Sequence, residues 1–310
     1  MEDSQDRPSE TTNMAGFKSG TVAIVGRPNV GKSTLLNILV KFRLSAVSPK
    51  PQTTRHKILG VLTGANFQAA FLDTPGMPYK TSLELDRLLI SRSLEAIFEA
   101  DLVVLMVESK TPADIERRLV GELKRLDKQA ILAINKVDLV NKQELLPIIE
   151  EYSGLYPFLE IVPLSARKMD GVKELLDLIV KHLPAGEPIY AEDDITDRPE
   201  RFLVGEIVRE QVFNRYGAEV PYAVAVEIEQ FREASNAHGG KDYISVILYV
   251  ERDSQKGILI GRGGEKLKEI GSAARKAIEE LLERPVFLEL RVKVRPGWRK
   301  DSAFLQKIGY

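Results

Sequence analysis

Gly26-Arg27-Pro28-Asn29-Val30-Gly31-Lys32-Ser33-Thr34 stands between two apolar stretches. Val22-Ala23-Ile24-Val25 precedes it and reads as a buried strand. Leu35-Leu36-Asn37-Ile38-Leu39-Val40 follows and reads as a helix. Gly, four residues, then Gly-Lys-Ser in a strand–loop–helix setting is the pattern of a phosphate cradle. Gly26 and Gly31 open backbone conformations closed to residues with a side chain, so the loop amides can face phosphate oxygens at a positive helix N-terminus. Lys32 would reach the terminal phosphates and the Ser33 hydroxyl would hold magnesium. The plain alternative, a glycine-rich turn ahead of a helix, is disfavoured by that setting.

The rest of the composition frames this loop. A chain of 310 residues suggests two domains, and 44% hydrophobic content allows each a core. With no cysteine, disulfides and cysteine-based zinc sites are excluded, which fits a reducing cytoplasm. No apolar run approaches membrane-spanning length, and the N-terminus lacks the apolar core of a signal peptide. Residues 1–16, rich in Glu, Asp, Ser and Thr, read as a disordered tail in which Met14 is an alternative start. The net charge of −1 conceals an asymmetry: residues 256–300 hold 12 Lys and Arg against 6 Asp and Glu. A basic patch confined to one region suggests a polyanionic partner there, with a solvated helix face as the bland alternative.

Apolar runs at 22–25, 69–72, 102–107, 130–134 and 160–164 alternate with amphipathic stretches such as 112–127 and 171–183. That alternation predicts an α/β domain with a mostly parallel sheet over residues 17–185, and ligands on such sheets bind at the carboxyl ends of strands. Candidate motifs sit there. Asp73-Thr74-Pro75-Gly76 offers an acid for magnesium and a Gly76 amide for a γ-phosphate. Asn135-Lys136-Val137-Asp138 offers a carboxylate that can accept from guanine N1 and N2, a donor pair adenine lacks, so Asp138 selects GTP over ATP. The Lys136 stem would lie along the base and Asn135 would tie this loop to the phosphate loop. In Ser165-Ala166-Arg167 the Ala166 amide would donate to guanine O6. Pro51-Gln52-Thr53-Thr54-Arg55-His56 reads as a surface loop in which Thr54, with Thr53 second, completes the magnesium shell when γ-phosphate is present. His56 reads as an exposed loop residue rather than a base.

These motifs, in this order, resemble the Ras-like GTPase domain of the translation-factor class. The resemblance implies nucleotide contacts from Asn29 through Thr34 and from Thr54, Asp73, Gly76, Asn135, Lys136, Asp138, Ser165 and Ala166. Gly26, Arg27, Pro28, Thr74 and Pro75 complete the expected nucleotide set. The metal would fall to Ser33, Thr54 and Asp73, and catalysis to Lys32, Thr54 and Gly76. One departure stands out: Met77 occupies the position where Ras-type proteins often carry a water-orienting Gln. The sequence therefore resembles the subgroup with a hydrophobic residue there, in which an Asn at the position of Asn29 helps bind potassium. Slow intrinsic hydrolysis is expected, with Arg55 and the 77–92 segment as further contributors.

Proline and acidic residues make 186–200 a semi-rigid linker. Beyond it, residues 201–310 predict a helix at 201–216, strands at 221–231, 243–251 and Val286–Val294, a long amphipathic helix at 264–283 and a short helix at 301–309, with 236–240 as a hairpin loop. Gly261-Arg262-Gly263-Gly264 between helical segments lets a nucleic-acid backbone approach, with Arg262 for phosphate. Lys266, Lys268 and Arg275 lie on the long helix; Arg291, Lys293 and Arg295 alternate along the third strand; Arg299 and Lys300 follow Trp298, which reads more readily as a core anchor than as a base-stacking ring. Gly261, Arg262, Gly263, Gly264, Lys266, Lys268, Arg295, Arg299 and Lys300 form the expected RNA set. This arrangement resembles a type II KH domain.

A Ras-like GTPase domain, an acidic linker and one type II KH domain resemble the Era family of GTPases. Lys50-Pro51-Gln52-Thr53-Thr54-Arg55-His56, Thr196-Asp197-Arg198-Pro199-Glu200 and Pro296-Gly297-Trp298-Arg299 extend the likeness. The family resemblance implies GTP/GDP and Mg2+ as ligands, K+ at Asn29, and binding near the 3′ end of small-subunit ribosomal RNA during subunit assembly. It also implies a cytoplasmic monomer associating peripherally with the inner membrane. An RNA-binding module with GTP as a structural ligand is the alternative. A double-domain assembly GTPase is disfavoured by the single phosphate loop.

Overall fold

A computed structural model describes residues 16–78, 83–217, 219–234 and 240–310. Nearly all of the expected tail, with Met14, most of the expected hairpin loop and part of the 77–92 segment lie outside them.

The apolar runs become strands β1 (Lys18–Val25), β3 (Phe67–Asp73), β4 (Leu102–Glu108), β5 (Ala130–Asn135) and β6 (Glu160–Pro163), after β2 (Ile58–Gly64) is inserted between the first two. Among the described residues they form one sheet in the order β2-β3-β1-β4-β5-β6, with β2 antiparallel to β3 and the rest parallel. The central strands are apolar on both sides because helices cover both faces. Helices α1 (Lys32–Val40) and α5 (Val172–His182) close one face; α2 (Glu84–Glu99), α3 (Asp114–Arg125) and α4 (Lys142–Leu155) close the other.

The sequence reading passed over β2. It forms a hairpin with β3 around the two-residue turn Ala65-Asn66. As the outermost strand it has an open backbone edge, and residues 189–196 cover it. Val61 N donates to Ile195 O at 2.7 Å and Thr196 Oγ1 to Leu59 O at 2.7 Å, while Gln68 Oε1 accepts from the amides of Ile189 and Tyr190. The acidic linker thus acts as an edge cover as well as a spacer.

The second half follows α6 (Glu200–Arg215), β7 (Ala225–Arg232), β8 (Asp242–Val250), α7 (Asp253–Ile260), α8 (Glu265–Leu282), β9 (Val286–Val294) and α9 (Ser302–Lys307). β8 pairs antiparallel with β7 and parallel with β9, and α6, α7 and α8 pack on one face of this sheet. On its other face Leu85 and Leu89 of α2 join Trp298, Phe304, Leu305 and Tyr310 in a cluster shared by both halves. Trp298 is fully buried and its indole donates to Ala223 O at 2.9 Å, so it is a core anchor.

The largest departure from expectation is the segment after Pro51. It is not a surface loop: Thr53, Thr54 and Arg55 are buried between the two halves. His56 is not exposed either. Its ring stacks on Tyr310 at 4.8 Å, meets Phe202 edge-on, and its Nδ1 lies 3.4 Å from Glu206. Polar composition marked the segment as a loop, but the partners that bury it lie more than 140 residues further along the chain.

Candidate functional site

β1 ends at Val25, and the loop that follows turns back over the start of α1. Gly31 has φ 108°, and a Cβ there would come within 2.3 Å of the Asn135 amide. Glycine is therefore required by both conformation and space. Asn135 links three motifs. Its Nδ2 donates to Val30 O at 2.7 Å, and its Oδ1 accepts from Ala166 N at 2.9 Å. The Ala166 amide, expected at guanine O6, thus donates to Asn135 in this structure. Lys32 Nζ donates to Arg27 O at 2.9 Å and Gly26 O at 3.2 Å, which holds the ammonium inside the loop. Burial lowers its pKa to about 8, against the opposing pull of Asp73. Burial likewise pushes the Asp73 carboxyl up, with Lys32 opposing.

The hydroxyls and the acid expected around magnesium do converge. Ser33 Oγ lies 2.6 Å from Thr54 Oγ1 and donates to Asp73 Oδ2 at 2.7 Å. Ser45, which the sequence reading missed, donates to the same Oδ2 at 2.8 Å, and its own backbone is braced by Asn37. Asp73 Oδ1 is buried without a hydrogen-bond partner. Hard oxygen donors with one orphaned carboxylate oxygen suit magnesium. Gly76 backs onto the phosphate loop so tightly that a Cβ would meet Pro28 Cα at 2.4 Å. Met77 is buried in the core, so no side chain at that position reaches the nucleotide space.

A cavity of about 550 Å³ runs from the phosphate loop past Asn29, Thr54 and Gly76 to Lys136, Asp138 and Ser165. At its far end Lys136 adopts φ 65° and pairs with Glu108. A hydrogen bond from Ser165 holds the Asp138 carboxyl below its usual range. Asn29 Nδ2 donates to Pro49 O at 2.6 Å, joining the phosphate loop to the segment that carries Thr54. Four residues of the expected nucleotide set also bond within the scaffold. Arg27 pairs with Glu116 at 2.5 Å, Thr74 Oγ1 donates to Ile24 O, Pro75 O accepts from Ser93, and Asp73 accepts from Ser33, whose hydroxyl also meets Thr54. Arg55 points away into the second half, which removes it as a contributor to hydrolysis through direct contact.

In the second half Gly261, Gly263 and Gly264 take φ of 74°, 59° and 83° and form the turn between α7 and α8, with Arg262 exposed at its tip. A second cavity of about 520 Å³ lies between α8 and β9. Gly264 and Lys268 of the expected RNA set line it, with Lys241, Ser272, Arg275 and Phe287 among its other residues. The other expected cations have these surroundings. Lys266 lies over the Tyr216 ring, Arg295 pairs with Asp301 at 2.7 Å, and Arg299 pairs with Glu251; Lys300 is exposed. Arg291 and Lys293 share a face, as alternation requires, but Glu229 and Glu289 neutralise it. Lys241 was missed because no periodicity ties the start of β8 to a helix 27 residues later.

Fold and site together define a P-loop GTPase with an appended KH domain. The family described as "50S ribosome-binding GTPase" matches residues 21–136, and the KH domain family matches residues 219–299. GTPase Era of Lactobacillus delbrueckii subsp. bulgaricus is 47% identical over 293 residues, covering 94% of this chain and 96% of that protein. GTPase Era of Geotalea daltonii is 46% identical over 295 residues, covering 95% and 98%. A crystal structure of Era with MgGDPNP and nucleotides 1506–1542 of 16S ribosomal RNA superimposes with a TM-score of 0.91 at 40% identity, over 95% of this chain and 99% of that one. Aquifex aeolicus Era bound to GDP and aluminium fluoride matches equally well. The chain belongs to the Era family of GTPases.

Proposed function

We propose that this GTPase is a switch that binds small-subunit ribosomal RNA near its 3′ end and acts in assembly of the small ribosomal subunit. The observation that carries the reading is the position of the Thr54 segment. It touches Ser33 on one side and the KH half on the other, so one short stretch of chain joins the nucleotide site to the RNA-binding half. Asp138 would read the guanine, Lys32 the phosphates, and Ser33, Thr54 and Asp73 would hold magnesium, which neutralises charge developing on the phosphates. The α8–β9 groove and the Gly261–Gly264 turn would receive single-stranded RNA. That a relative was solved with both MgGDPNP and a 16S fragment supports the pairing of ligands.

A ligand shifts a two-state protein only through differential affinity. RNA affinity should therefore differ between the GDP form and a form loaded with a non-hydrolysable GTP analogue. Equal affinities would sink the switch.

Asn29 further supports a potassium site in the phosphate loop. Met77 leaves no side chain to orient water, and a monovalent cation would supply the missing positive charge. Hydrolysis should run faster in potassium than in sodium; equal rates refute this part. For location, the reading is a cytoplasmic monomer meeting the inner membrane peripherally. No helix among the described residues is long and apolar enough to cross a membrane.

A further inference from the structure

The residue after Thr54 is fully buried. Arg55 reaches out of the GTPase half into the KH half, where its guanidinium donates to Val224 O at 2.8 Å, Tyr222 O at 3.1 Å, Pro221 O at 3.3 Å and the Tyr310 hydroxyl at 3.3 Å. Three rings surround it: Phe213, Trp298 and Tyr310 stand 5.6–5.8 Å from the guanidinium carbon. Among the described residues no carboxylate bonds it; the nearby Glu206 is engaged by Arg209. A planar fork matches several carbonyls at fixed angles, and its faces stack on aromatic rings. α2 reaches the same point. Arg92 of α2 donates to Arg55 O at 2.9 Å and to Gly309 O at 3.3 Å.

We propose that Arg55 is a positioning residue: its guanidinium, held in this KH-domain cage, keeps the adjacent Thr54 hydroxyl at Ser33, so that the docked KH domain completes the magnesium side of the GTP site. The geometry is direct. Arg55 and Thr54 are consecutive, and their side chains part, one into the cage and one toward Ser33. A cation satisfied by carbonyls and ring faces alone is costly to bury, which lets the cage fill or empty without a large energy gap. GDP lacks the γ-phosphate that gathers this segment, so the cage matters to the triphosphate form alone.

The inference rests on the proposed switch and names the joint through which it works. The test uses the full chain and a fluorescent non-hydrolysable GTP analogue, titrated with and without magnesium beside labelled GDP. Arg55→Ala should weaken analogue binding in magnesium by about tenfold, the loss expected from a charged hydrogen-bond cluster. GDP affinity should move by less than about twofold on the same scale. Tyr310→Phe, which removes the one side-chain hydroxyl that Arg55 bonds, should weaken the analogue in the same direction. Equal losses for analogue and GDP would mean a merely structural role and overturn the proposal. So would a loss in Arg55→Ala with none in Tyr310→Phe. If the alanine variant does not fold, Arg55→Lys decides: it keeps the cation but not the fork, and wild-type analogue affinity in it overturns the proposal. RNA affinity in the two nucleotide states, measured on the wild type, separates the two readings. Nucleotide-independent RNA binding sinks the switch while leaving the analogue result standing. Nucleotide-dependent RNA binding that Arg55→Ala preserves sinks the latch alone.

Discussion

Lys32 shows how much one residue's environment adds to its motif. The pattern Gly-Lys-Ser assigns it to phosphate, and nothing in the pattern says in what state it waits. In the folded chain burial lowers its pKa to about 8, with Asp73 pulling the other way. A phosphate beside it restores the charged form. Nucleotide binding should therefore take up a proton above pH 8, by as much as about one near pH 9, and almost none at pH 7. Calorimetry in two buffers of different ionisation heat reads this directly, and absence of uptake near pH 9 would contradict it. The stability linkage has a definite sign. The unfolded lysine binds its proton up to its ordinary pKa near 10.5, so the ligand-free fold gains stability as pH rises between about 8 and 10.5. At the same scale Met77 was legible in full: a missing glutamine is visible in a string of letters, and the fold adds only that the thioether lies in the core.

At the scale of elements, periodicity carried well where packing is local. Each apolar run became a strand, and Val286–Val294 appeared with the expected bounds. It carried poorly for β2, whose role as a covered edge depends on residues 189–196. The KH half makes the same point about charge. Counting cations over 256–300 predicted a basic patch, yet Arg295 and Arg299 have acidic partners and β9's cations meet Glu229. On the proposed reading, the groove would offer RNA Lys241, Lys268 and Arg275. Lys241→Ala or Arg275→Ala should weaken RNA binding roughly uniformly across sequences. Each should also flatten the slope of log affinity against log salt by about 0.7, one phosphate contact on a single strand. Arg299→Ala should leave the slope unchanged. A slope change there and none at the groove would reassign the surface.

At the scale of the whole molecule, one segment ties the nucleotide cavity to the KH half. Residues 50–56 run from Lys50, bonded to the carbonyls of Phe213 and Tyr216, through Thr54 at Ser33, to His56 against Tyr310. α2 adds Leu85 and Leu89 to the cluster with Trp298 and Phe304. Coupling between sites is reciprocal in binding free energy. Whatever factor separates RNA affinity in the two nucleotide states, RNA must change the ratio of GTP-analogue to GDP affinity by the same factor. Competition titrations with and without RNA check this closed cycle, and a mismatch would mean that a third state is populated.

The sequence by itself determined the phosphate loop, the Asp73 and Asp138 motifs, the glycine turn between α7 and α8, and the order of the two halves. Each is written in residues within a few positions of one another, where backbone conformation and spacing fix the chemistry. Tertiary structure alone decided that Ala166 serves Asn135, that Ser45 joins Asp73, and that Lys241 faces α8. It also decided that the loop carrying Thr54 is an interior joint. The reason is physical. Arg55 gets its four hydrogen bonds and three ring contacts from residues 213 to 310, and no local pattern records where a side chain finds partners across so long a stretch of chain.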